Sequence, residues 1–82
     1  MNISTVTFKK VANYSALKLL CYLTDSCLSD TFVFNRYSAY QIECAYLLTY
    51  EQVKTSLAYL VEVGILTKVK RGSYKLTEEE TN

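Results

Sequence analysis

Two short motifs, the second starting eleven residues after the first, constrain this chain more than anything else in it. Ser38-Ala39-Tyr40-Gln41 and Thr49-Tyr50-Glu51-Gln52 each place a hydroxyl residue three positions before a glutamine. At that spacing the hydroxyl accepts from a free backbone N–H of a helix start, and the glutamine reaches back to the N–H of the cap. Each motif therefore predicts a helix. The first helix carries Ile42, Ala45 and Tyr46 on one side and runs to Leu47 or Leu48. The second is longer, with Val53, Leu57, Leu60 and Val61 on a shared face, and ends near Gly64, which can supply a left-handed residue. Two helices joined with almost no linker must cross sharply.

The flanking segments read more simply. Asn13 is placed to cap a helix running to about Thr24, with Ala16, Leu17, Leu20, Cys21 and Leu23 recurring at spacings of three and four. Thr31-Phe32-Val33-Phe34 is β-branched and aromatic, which predicts a short strand. After Gly64 the apolar period changes from 3.6 to two. Ile65–Lys70 and Ser73–Leu76 then read as two strands joined at Arg71-Gly72. Residues 3–11 are apolar at mixed spacing and predict no single state.

With 82 residues the chain makes one domain, placed here at 1–77. The acidic segment 78–82 is expected to be a disordered tail. No apolar run approaches the roughly 20 residues of a membrane span, and no charged-then-apolar leader is apparent. His is absent, which removes the commonest general base and zinc ligand. Cys21, Cys27 and Cys44 form no C-x-x-C pair, so neither a metal site nor a cofactor is expected. Cys21 and Cys44 are expected on apolar helix faces, as reduced thiols of a cytoplasmic protein. There is no Gly-rich phosphate loop and no activated nucleophile, so the composition argues against an enzyme.

The formal charge of +1 conceals an asymmetry. Setting aside Glu78, Glu79 and Glu80, nine basic side chains stand against five acidic ones, which leaves +4 on the body. Lys68, Lys70, Arg71 and Lys75 fall within eight positions that contain no acid. Such a strip points toward phosphates.

The order helix, strand, helix, helix, hairpin resembles the winged helix-turn-helix family of DNA-binding domains over residues 14–77. The stretch Thr49-Tyr-Glu-Gln-Val-Lys-Thr-Ser-Leu-Ala-Tyr-Leu-Val-Glu-Val-Gly-Ile-Leu66 carries most of the likeness, with Tyr74 and Leu76 matching the return strand of the wing. The turn between the two helices departs from the family in having Leu47-Leu48 where Gly is usual, and the second helix has few small residues. The resemblance implies an α+β, mainly α fold: three helices plus a small antiparallel sheet with a C-terminal hairpin wing.

It also implies that the helix at 49–63 enters the major groove of double-stranded DNA, with the wing at 66–76 on the backbone or in a minor groove. Gln52, Thr55 and Glu51 then face base edges, with capping as the competing role of Glu51 and Gln52. Thr49, Tyr50 and Lys54 lie beside them, the last two suited to phosphates. Lys68, Lys70 and Lys75 suit backbone oxygens, Arg71 suits a groove, and Arg36 is a further phosphate anchor. Tyr59 and Glu62 fall on the same outer arc. The sequence has eight tyrosines. Tyr46 and Tyr74 sit at core positions, but Tyr14, Tyr22, Tyr37, Tyr40 and Tyr59 cannot all be buried in one small core. With the apolar segment Ile3–Val11 they point to a homodimer. The resulting expectation is a dimeric transcriptional regulator that binds no small molecule. The alternative is a winged-helix module for protein–protein contacts in a transcription or replication assembly.

Overall fold

Helix α2 (Tyr14–Ser26) organises the core. The Asn13 side chain accepts from the Ala16 N–H at 3.0 Å, as the sequence predicts, and the helix runs two residues beyond Thr24. Its buried face is Ala16, Leu19, Leu20, Tyr22 and Leu23. Cys21 is exposed rather than buried, because the buried arc centres on the Leu19–Leu23 side. In this computed structural model residues 1–77 are described; the acidic segment expected to form a tail lies outside them.

Helix α3 (Arg36–Tyr46) starts earlier than its motif implies. Asn35 is extended and is the true cap: its Oδ1 accepts from the Ser38 N–H at 2.9 Å, and the Ser38 hydroxyl accepts from the Asn35 N–H at 2.9 Å. Gln41, expected to complete a box with Ser38, instead accepts from the Tyr22 hydroxyl at 3.2 Å. Ile42 is fully buried and Tyr46 half-buried, whereas Ala45 and Cys44 are exposed, contrary to expectation. Starting at Arg36 sets a buried arc of Ser38, Ile42 and Tyr46, spaced by four, and leaves positions 44 and 45 off it. The helix ends on Leu47, which takes the left-handed conformation at φ 59°. Lys18 on α2 donates to the last helical carbonyl, that of Tyr46, at 3.1 Å.

Helix α4 (Tyr50–Glu62) begins at the predicted second capping box. It buries Val53, Ser56, Leu57 and Leu60, and Val61 is half-buried. Gly64 follows at φ 86° and turns the chain into the sheet. Tyr59 is not on the outer arc: it is half-buried, and its hydroxyl accepts from the Ala12 N–H at 3.3 Å.

Strands β1 (Thr31–Val33), β2 (Leu66–Lys70) and β3 (Ser73–Leu76) form an antiparallel sheet in the order β1-β3-β2. Phe34 and Ile65, expected inside strands, flank them. Partners Phe32 and Tyr74, and Leu66 and Leu76, mark the face that packs on the helices. Gly72 completes the predicted hairpin turn at φ 77°. The molecule is α+β and mainly helical, with four helices where three were expected. The extra one, α1 (Thr5–Lys9), is a single capped turn held by Ser4. Met1, Ile3 and Val11 around it are buried in the core. Among the described residues no helix is long and apolar enough to cross a membrane.

Burial raises the Tyr22 hydroxyl above its ordinary value of 10.0, with smaller contributions from Cys27 and Tyr37. Its neutral form is therefore favoured by folding, a contribution that is complete below about pH 10 and is lost as pH rises through the higher folded value. Tyr46, raised by burial and by its hydrogen bond to Asp25, acts in the same direction. The drop in denaturant midpoint between about pH 8 and about pH 11 should thus be smaller for Tyr22→Phe than for wild type, without vanishing, because Tyr46 still contributes.

Candidate nucleic-acid interface

The first turn of α4 carries most of the residues singled out above. Two of them are engaged by the helix itself. The Thr49 Oγ1 accepts from the Gln52 N–H at 3.1 Å, and the Gln52 Oε1 accepts from the Thr49 N–H at 2.9 Å. Bidentate pairing with adenine needs an amide oxygen and nitrogen together. The capping bond occupies that oxygen, so in this state Gln52 is a cap. Glu51 and Thr55 are exposed and, with Asn13, Ser15, Gln52 and Ser56, line a notch of about 200 Å³ between the starts of α2 and α4.

Tyr50 links this turn to the sheet. Its ring stacks on Phe34 with centroids 5.2 Å apart and planes at 25°. The Lys54 ammonium sits 5.6 Å from the Tyr50 ring centroid, a cation–π geometry that holds the charge at the surface. Phe34 in turn donates its N–H to the Gly72 carbonyl at 2.8 Å, next to Arg71 at the hairpin turn. A Cβ on Gly72 would lie 3.4 Å from the Phe34 carbonyl oxygen, so the turn approaches the end of β1 closely. Arg36, the first residue of α3, is exposed two positions after Phe34. One path of contacts thus runs from Lys54 through Tyr50 and Phe34 to the Arg71-Gly72 turn. The role of Phe34 was not foreseen. The hint was an aromatic side chain at the strand end, which the alternation of faces sets on the same side as Phe32.

The hairpin does not gather its basic residues on one side. Lys68 pairs with Tyr74 and shares the face of Phe32, beyond the core toward the turn. Lys75 pairs with Thr67 and Thr31, on the opposite face. An irregularity between Lys68 and Lys70 pairs Lys70 with Ser73 and so moves it to the side of Lys75. All four basic side chains of the hairpin are exposed. Glu62, at the far end of α4, is exposed as expected. Among the described residues no group of His, Cys, Asp and Glu is arranged to hold a metal ion. None of the protein-family models, curated proteins or solved structures compared with this chain matches it.

Proposed function

We propose that this protein binds double-stranded DNA as a dimeric transcriptional regulator of the winged helix-turn-helix type. Helix α4 would enter the major groove by its first two turns, and the hairpin would lie as a wing on the backbone or in a minor groove. The observation that carries this reading is the connected surface of Lys54, Tyr50, Phe34 and the Arg71-Gly72 turn, beside a hairpin with four exposed bases and no acid. Placing bases on both faces of a two-stranded projection suits a wing inserted between two phosphate rows better than one laid flat. Because Gln52 caps its helix, base contact falls mainly to Thr55 and Glu51, with Lys54 and Tyr50 positioned for phosphates.

Fluorescence anisotropy with random-sequence duplex DNA at two salt concentrations tests the reading. Four phosphate contacts per subunit give a log–log salt slope near roughly −3 to −4 per monomer. No binding at low salt would remove the proposal. A second reading, a module that packs α4 on a protein partner, is favoured by one observation: Glu51 and Glu62 are exposed on α4 and would repel phosphates.

A further inference from the structure

Helix α3 has two apolar faces, and only one is covered. Ser38, Ile42 and Tyr46 turn toward α2 and α4. On the other side stand Tyr37, Tyr40, Cys44 and Leu47, with the tyrosines and leucine 70%, 67% and 78% exposed. An exposed helix face is ordinarily polar; apolar residues opposite the core mark a face that meets something else. Leu47 reinforces this. It occupies the helix-ending position where glycine is favoured, in a left-handed conformation at φ 59°, so the chain accepts backbone strain there to place a leucine in solvent.

The spacing suits a second copy of this chain. Intervals of three, four and three are those of a helix–helix seam. They are also symmetric about Ile42: Tyr37 and Leu47 lie five residues to either side of it, and Tyr40 and Cys44 two. A two-fold axis relates a surface to itself, so a residue contacts a partner residue that contacts it in return. We infer that two copies of this chain pair antiparallel through the outer face of α3, with Tyr40 of each copy on Cys44 of the other and Tyr37 on Leu47. Antiparallel packing also sets opposite ends of the two helix dipoles side by side. Covering all of the surface these residues expose would bury on the order of 500 Å² per copy, or about 1,000 Å² in total, a ceiling that only reaches the lower limit for a specific interface. The dimer is accordingly weak, dissociating in the micromolar range or above. The two-fold geometry keeps the Cys44 thiols apart, each facing a tyrosine, so no disulfide is needed.

This inference rests on the dimeric state in the proposed function and replaces the Ile3–Val11 segment with α3 as its seat. Sedimentation equilibrium on the full chain, from about 10 to about 500 µM, tests it under reducing conditions. Wild type should self-associate reversibly, and Tyr40→Glu should weaken association at least about tenfold. Leu47→Gly should weaken it several-fold while melting at the same or a higher temperature, since glycine removes the strain. A wild type that stays monomeric over this range, or a dimer that either variant leaves intact, overturns the pairing. Anisotropy with duplex DNA on the same samples separates the two ideas. Monomeric variants that still bind non-specifically leave DNA binding standing, and a dimer that α3 variants dissociate but that never binds DNA leaves this interface standing alone.

Discussion

Replacing Lys68, Lys70 and Arg71 together with alanine should lower affinity for duplex DNA by roughly two to three orders of magnitude at about 0.1 M salt. The figure follows from counterion release. Each neutralised phosphate contributes about 0.9 to the log–log salt slope, so each contributes nearly a factor of ten between about 1 M and about 0.1 M salt. Losing three should flatten the slope by nearly three, and the curves of wild type and variant should converge as salt rises. All three side chains are exposed on β2 or at its turn, and among the described residues none has a hydrogen-bond or ion-pair partner. Stability should therefore change by no more than about 0.5 kcal/mol per substitution, the range of ordinary surface changes. An unchanged slope would mean that the hairpin does not touch phosphate.

The same variant distinguishes DNA from a protein partner. A docking surface built on α4 loses little when the hairpin is neutralised, whereas a DNA surface loses most of its non-specific term. Reversing Glu51 to Lys adds the complementary measurement. It should strengthen non-specific DNA binding by roughly tenfold through one added phosphate-facing charge, and should weaken a contact that uses the carboxylate. Glu51 lines the notch beside α2 and is exposed, so the change meets no packed neighbour.

The elements with strong local signals were readable in advance. Asn13, the Thr49–Gln52 box, and the two positive-φ glycines each act through the backbone within a few residues, and each sits where local chemistry places it. The errors came where a local signal had a competitor. Ser38 can cap a helix or serve as the third residue of one capped by Asn35; the second arrangement wins because it also lets the Ser38 hydroxyl donate to the Val33 carbonyl at 3.1 Å. Starting α3 there rotated the expected buried arc and misplaced Cys44 and Ala45. The single turn of α1 has no periodicity to read and is held by Ser4 and by core contacts of Ile3 and Val11. In the candidate site, the residue types were legible but their faces were not. The irregularity in β2 that moves Lys70 away from Lys68 is set by pairing with β3, which sequence spacing does not reveal. The stack of Phe34 on Tyr50 joins residues sixteen apart and depends on how β1 meets α4.

Leu57→Ala should cost about 3–4 kcal/mol and lower the melting temperature by roughly 15–25 °C. Leu57 has no exposed surface and lies on the α4 face that packs on α2, where Leu19, Leu20 and Leu23 are equally inaccessible. Removing its branched end leaves a cavity walled by two rigid helices, both pinned at their starts by side-chain caps, so the site has little freedom to collapse. A domain of this size has on the order of 5–10 kcal/mol in total, so the loss takes a large share of it. Leu28→Ala, at a position 97% exposed, should change stability by no more than about 0.5 kcal/mol and serves as the control for leucine removal as such. Leu57→Met, which conserves volume, should cost under about 1.5 kcal/mol. The consequence for the proposed site is distinct from that of the hairpin variant. Leu57→Ala should lose DNA binding in step with circular-dichroism unfolding as temperature rises, and regain it on cooling. The hairpin variant should stay folded and bind roughly two to three orders of magnitude more weakly throughout the range in which it is folded. Binding by Leu57→Ala above its melting transition would show that the folded α4 surface is not what holds the DNA.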